Sequence, residues 1–199
     1  MSPTLVAYGH SWVAGDGATT SERVLVDVAA RQLGLEPVNL GVGGSHSVQT
    51  AELVRQRGAP EAACYLLMTG LNDARFHGID QSALERYSHA VQTVVGRCLG
   101  AASDAVVLVI EQPPLLDYSR HAPHDKGSTT AVEEYNTRQR QALAGLDRVA
   151  MVHIHAWDPR TMLDDDTVHP NDRGHAAIGM AAAAAYRSAT IGQMRPVHD

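Results

Sequence analysis

Ala105-Val106-Val107-Leu108-Val109-Ile110 is six apolar residues in a row, four of them β-branched. The run has no polar/apolar alternation, so neither face is marked for water, and it reads as a strand buried on both sides. Working outward, a helical pattern precedes it over 82–99. There Leu84, Tyr87, Ala90, Val91, Val94, Val95 and Cys98 share one side, the spacing of a core-facing helix. Another helical pattern follows over 130–144. Four more strand-like runs lie at 5–8, 37–40, 62–68 and 149–154, and further helices are expected at 20–33, 47–57 and 171–188. The first of these has Thr20 or Ser21 as a candidate N-cap and Gly34 as its stop. Five strands interleaved with helices predict an α/β domain, a three-layer α/β/α sandwich around a five-stranded parallel sheet. One domain is expected over 1–199, with a loose tail from about 190.

The composition narrows the function classes. The 199 residues are 44% apolar and 19% charged, with a net charge of −6, ordinary for a globular domain. Lys126 is the one lysine and no basic stripe is visible, which argues against nucleic acid as a partner. Apolar runs are too short to span a bilayer. The first strand begins at about Thr4, leaving no room for a signal peptide, so the chain reads as cytoplasmic. Cys64 and Cys98 lack metal-like spacing and read as buried thiols rather than a disulfide or zinc site.

In parallel sheets chemistry gathers beyond the carboxyl ends of the strands. The first strand ends Tyr8-Gly9-His10-Ser11-Trp12, and the second Asn39-Leu40-Gly41-Val42-Gly43-Gly44-Ser45. The third ends Thr69-Gly70-Leu71-Asn72-Asp73. After the fifth come Asp166-Thr167-Val168-His169-Pro170-Asn171 and then Gly174-His175. A long loop over 111–129 is of the kind that lines a site.

Together these segments resemble the four sequence blocks of the SGNH (GDSL-like) hydrolase family, in order, in spacing and in placement after strands one, two, three and five. The resemblance spans nearly the whole chain and implies strand order 2-1-3-4-5. It aligns Ser11 with the nucleophile, Asp166 and His169 with the other triad members, and Gly44 and Asn72 with oxyanion-hole donors, the Ser11 N–H being a third. Family members carry an aspartate before the serine. Here His10 stands in that place, which brings a second titrating group towards the substrate.

The roles agree with elementary chemistry. A serine hydroxyl is a poor nucleophile until a base takes its proton, and imidazole titrates in a suitable range. A carboxylate three residues before the histidine can hold its other nitrogen. A carbonyl oxygen gaining charge needs fixed donors, which a glycine amide and the neutral Asn72 amide supply. With strand one between two and three, Ser11, Gly44 and Asn72 are neighbours. His169 starts about 14 Å away, three strand spacings, and the segment 155–168 can stretch about 45 Å.

The expected activity is hydrolysis of carboxylic esters, with short acyl groups or acylated small molecules such as sugars, through an acyl-enzyme on Ser11. The partner is a small-molecule ester, and no cofactor or metal is required. Acyl transfer to an alcohol would use the same site, and a non-catalytic flavodoxin-like binding module is the alternative of a different class. Ser11 followed by Trp12-Val13 does not fit the Gly-x-Ser-x-Gly elbow of α/β-hydrolases. The 41–46 glycines fail the dinucleotide fingerprint because His46 stands where its third glycine belongs.

Other residues carry weaker readings. Trp12 and Phe76, with His10, are candidate substrate contacts, the competing role of the two aromatics being to seal the core. Asn72 could instead hold a turn, and Asp73 reads as a structural partner. His153 and His155 read as structural, His175 as making a helix-terminal hydrogen bond. His121, His124 and Asp125 are close enough in sequence to suggest a metal, but a solvated loop is the simpler expectation.

Overall fold

Every residue of β4 (Val106–Ile110) is buried, as is every residue of β3 (Cys64–Met68) beside it. Each large aliphatic removed from water there stabilises the fold by about 1.5–3 kcal/mol, so this pair forms the centre of the core. The computed structural model describes residues 2–193. The remaining strands are β1 (Thr4–Gly9), β2 (Glu36–Asn39) and β5 (Val149–Val152), and all five pair in parallel in the order β2-β1-β3-β4-β5. The register sets Val6 opposite both Val38 and Tyr65, and Leu108 opposite Leu66 and Ala150. β2 and β5 are the edges and are the less buried strands. That is why Pro37 is tolerated in β2, whose sequence also carries Glu36 and Asn39.

The helices are α1 (Ser11–Ala14), α2 (Leu25–Leu33), α3 (Ser47–Arg57), α4 (Leu71–His77), α5 (Gln81–Ala101), α6 (Thr129–Leu143), α7 (Pro159–Met162) and α8 (Asp172–Gln193), with a 3₁₀ turn at Ser21–Arg23. Right-handed crossovers on a sheet that reverses direction after β2 send helices to both faces. α2 packs with α8 on one face, while α3, α5 and α6 pack side by side on the other. The three-layer sandwich and its strand order are those expected.

Several boundaries differ from the sequence expectation. α1, α4 and α7 are too short to show a helical period. α8 continues to Gln193, so the expected loose tail from 190 does not begin there; residues 194–199 lie outside the described residues. Neither Thr20 nor Ser21 caps α2. Its N-cap is Val24, without a side-chain bond, and the free Leu25 N–H donates instead to Nδ1 of His175 on α8 (3.3 Å). A tertiary contact takes over the work of a local cap. Cys64 and Cys98 are free, buried thiols, as expected. Among the described residues, no helix is long and apolar enough to cross a membrane.

Candidate active site

β1 delivers the chain to His10 and Ser11 at the carboxyl edge of the sheet, between β2 and β3. Ser11 is the first residue of α1, and the one-turn helix is held at its far end by Asn39, whose amide donates to Val13 O (2.6 Å). The same side chain accepts from Gly41 N–H (2.9 Å) and so starts the 41–45 loop. That loop is pinned back on β1 by Val42 N–H and Ser45 Oγ, both donating to Gly9 O. Gly44 takes φ +73 with nothing within 4 Å of where a Cβ would stand. Its glycine serves the left-handed backbone rather than a close approach. Asn72, in the first turn of α4, is buried and donates to Ser45 O (3.0 Å). One amide proton thus fixes the loop and leaves the other free. Among the described residues, neither Ser11 N–H nor Gly44 N–H has an acceptor.

The opposite wall is the turn 163–170, closed by a bridge between Leu163 and Pro170 and by Asp164 N–H donating to His169 O (2.7 Å). Asp166 Oδ1 accepts from the N–H groups of Val168 (2.8 Å) and His169 (2.9 Å), and its Oδ2 lies 2.5 Å from His169 Nδ1. His169 Nε2 lies 3.0 Å from Ser11 Oγ and 3.8 Å from Asp16 Oδ2. Burial would raise the Asp166 pKa, but these hydrogen bonds and the imidazole outweigh it and hold the carboxyl below its usual range. Thr167, inside the turn, takes φ +66, a left-handed conformation costly for a β-branched residue. Asn171 closes the far side, donating to Leu163 O and Thr161 O while its Oδ1 caps α8 at Arg173 and Gly174.

The structure therefore brings Ser11, Asp166, His169, Gly44 and Asn72 into one cleft. The other candidate contacts are placed differently. His10 and Trp12 are fully buried, so neither presents a surface to substrate, contrary to the sequence expectation. His10 caps α1 instead: its Nδ1 accepts from Trp12 N–H (3.3 Å). A neutral imidazole has one proton, which is then on Nε2, 2.7 Å from the Gln112 side-chain amide. That requires the amide oxygen to face the ring. Burial, reinforced by the His169 and Arg75 charges, lowers the His10 pKa to about 3, against a weaker opposing effect of Gln112. It is a neutral cap rather than a second titrating group at the substrate. Trp12 stacks on Trp157 (5.5 Å), sealing the floor. Phe76 is half-buried and packs among His46, His77 and His124 on the rim.

Asp73 accepts from both Ser47 N–H (3.0 Å) and Ser47 Oγ (2.7 Å), a structural role at the start of α3. His175 bridges Leu25 N–H and Asp16 O (3.1 Å). His153 pairs with Glu111 (2.8 Å) and His155 is exposed. His121 turns to Asp166 O (3.1 Å) and His124 to His46. Among the described residues no group of three or more His, Cys, Asp or Glu is placed to hold a metal ion. Arg75, His46 and His77 were not singled out by sequence. Arg75 has one legible signal, since it lies three residues after Asn72 and so on the same side of α4.

This fold and this cleft define the class of SGNH-type α/β hydrolases. The family model of the GDSL-like lipase/acylhydrolase family matches residues 7–177, and the chain belongs to that family. Among curated proteins there is no sequence match. Similar solved structures include the lipase Lip_vut3 from a goat rumen metagenome, at TM-score 0.71 and 14% identity over 92% of this chain and 97% of that one. The lipase/acylhydrolase from Enterococcus faecalis gives 0.68 and 16% over 99% and 100%. The salicylyl-acyltransferase SsfX3 from a tetracycline biosynthetic pathway gives 0.70 and 18% over 98% of this chain and 57% of that one. At these identities the likeness is one of fold.

Proposed function

We propose that the chain is a carboxylic ester hydrolase working through an acyl-enzyme on Ser11. The observation that carries this reading is the continuous line from Ser11 Oγ to His169 Nε2 (3.0 Å) and from His169 Nδ1 to Asp166 Oδ2 (2.5 Å). His169 takes the hydroxyl proton as Oγ attacks the ester carbonyl, and Asp166 holds the ring with Nε2 towards Ser11. The N–H groups of Ser11 and Gly44 and the free amide proton of Asn72 stabilise the oxyanion. His169 then protonates the departing alkoxide, leaving acyl-Ser11, and activates a water to release the acid and restore the serine. An alcohol in place of that water would give acyl transfer.

A cavity of about 300 Å³ adjoins Gly44, with Leu40, Val42 and Leu53 in its wall. This is at the low end for ligand pockets and supports a short acyl group. A fluorophosphonate is expected to label the protein once, on the peptide holding Ser11, and to leave Ser11→Ala unlabelled. His169→Ala is expected to lose about a thousandfold in kcat, and dialysis against EDTA to leave the rate unchanged. Labelling at another residue in an active preparation overturns the assignment.

A further inference from the structure

Arg75 on α4 is 6% exposed, yet among the described residues its guanidinium has neither an ion pair nor a hydrogen-bond acceptor, and its Nε is sealed from solvent. Arginines that serve structure in this protein look different. Arg148, less buried, donates to the carbonyls of Leu99, Ala102 and Ala105. An unpaired buried cation is costly to keep. Its surroundings are those of the site: the charges acting on it or feeling it belong to Asp166, His10, His124 and Tyr118.

Asp166 acts on the Arg75 charge from nearby, but among the described residues no carboxylate makes a direct ion pair with it. Both oxygens of Asp166 are engaged by the 168–169 backbone and His169. Both oxygens of Asp73 are engaged by Ser47. Asp73 and the exposed Asp80 act on His77, and the exposed Asp125 acts on His124. The Tyr118 hydroxyl accepts from Leu115 N–H. Imidazoles cluster near Arg75, and the Nδ1 side of His46 is already turned to α3, 4.0 Å from Asp73 Oδ1. His46 lies 5.7 Å from His124 and 5.9 Å from His77, ring to ring, and Lys126, the one lysine of a chain with net charge −6, stands over Phe76. Lys126 N–H donates to Arg75 O (2.9 Å), laying the 111–129 loop across α4.

We propose that Arg75, with the imidazoles of His46 and His124 at the same rim, forms a subsite for a negatively charged group of the substrate, so that the ester cleaved carries a carboxylate on its acyl or its alcohol half. This rests on the ester-hydrolase reading of the cleft. The planar fork of an arginine matches a carboxylate with two parallel hydrogen bonds, and the bound substrate would supply the directly bonded acceptor that the guanidinium lacks.

Two matched ester pairs test this by pH-stat. Monomethyl adipate against methyl hexanoate puts the charge on the acyl half; 3-acetoxybenzoate against methyl 3-acetoxybenzoate puts it on the alcohol half. Wild type is expected to favour the charged member of one pair by about tenfold in kcat/KM, and the pair that responds tells which half is charged. Arg75→Met is expected to lose that preference by slowing only the charged ester, with a Tm no lower than wild type; Arg75→Gln gives a second reading should the methionine variant fold poorly. Equal rates within both pairs in wild type overturn the subsite, as does a variant that slows charged and neutral esters alike and melts earlier. If no ester is cleaved, the hydrolase reading fails instead. Calorimetric binding of benzoate or adipate to wild type, lost in Arg75→Met, then still decides the subsite, and absence of binding overturns it.

Discussion

Gly17 packs so closely on the turn that carries His169 that a Cβ added to it would lie 2.2 Å from Pro170 O and 3.1 Å from His169 Cβ. Its φ of +91 is also one that a side chain resists. The loop after α1 and the turn before α8 are thus fitted to each other, and Asp172 adds to the fit by accepting from Thr19 N–H, Thr19 Oγ1 and Arg23. Gly17→Ala should push the turn outward and lengthen the Ser11–His169 contact. A displacement near 1 Å costs about a hundredfold in rate, so kcat should fall steeply while circular dichroism shows an intact fold. Wild-type kcat in this variant would show that the turn is not positioned by the loop.

Asn72 holds Ser45 O with one amide proton and, in the proposed mechanism, the oxyanion with the other. Asn72→Ala should lower kcat by about 10²–10³ with KM changed far less, and stability by about 1–3 kcal/mol for the buried carbonyl left unpaired. Asn72→Asp should be at least as damaging to kcat, because a carboxylate repels the developing charge. A large drop in Tm with kcat intact would make Asn72 a loop anchor alone.

Thr167 combines a left-handed backbone with a buried hydroxyl that has no partner. The backbone costs about 1–2 kcal/mol, only part of which glycine gives back through its freer unfolded chain. Thr167→Gly is therefore expected to stabilise the protein by about 1 kcal/mol, measured by urea unfolding, with kcat close to wild type. A loss of stability would mean that the threonine side chain holds the turn by packing.

Folding stability should fall as pH drops from about 6.5 towards 3. His10 and His175 are both fully buried, and burial lowers both pKa values, that of His10 to about 3. In the unfolded chain these imidazoles take a proton near 6.5. Between the folded and unfolded values the unfolded state binds more protons, so each histidine withdraws about 1.4 kcal/mol per pH unit as the solution is acidified. In His10→Asn, whose side chain can still accept from Trp12 N–H, the slope between pH 6 and pH 4 should be shallower by one histidine. Identical slopes in the two proteins would show that His10 is not kept neutral by the fold.

The apolar run at 105–110, and its neighbours at 62–68 and 5–8, determined a parallel sheet by themselves, because strands buried on both faces leave no alternation to misread. Ser11, Gly44, Asn72, Asp166 and His169 were legible through the resemblance of their segments to the SGNH family blocks, and the meeting of strand ends at one edge of such a sheet made their proximity feasible. What only the tertiary structure decided depends on groups distant in sequence. Nothing near Leu25 tells that His175, 150 residues away, will cap α2. Nothing beside Ser11 tells that His10 will be enclosed and neutral, since that follows from Gln112 and the packed floor of the cleft. The unpaired state of Arg75 is likewise invisible locally. Asp166, the carboxylate whose charge reaches it, is turned to His169 and the 168–169 backbone instead. Burial, charge neutralisation and hydrogen-bond satisfaction are properties of the assembled neighbourhood, and a linear chain displays them only where a motif happens to bring the partners into register.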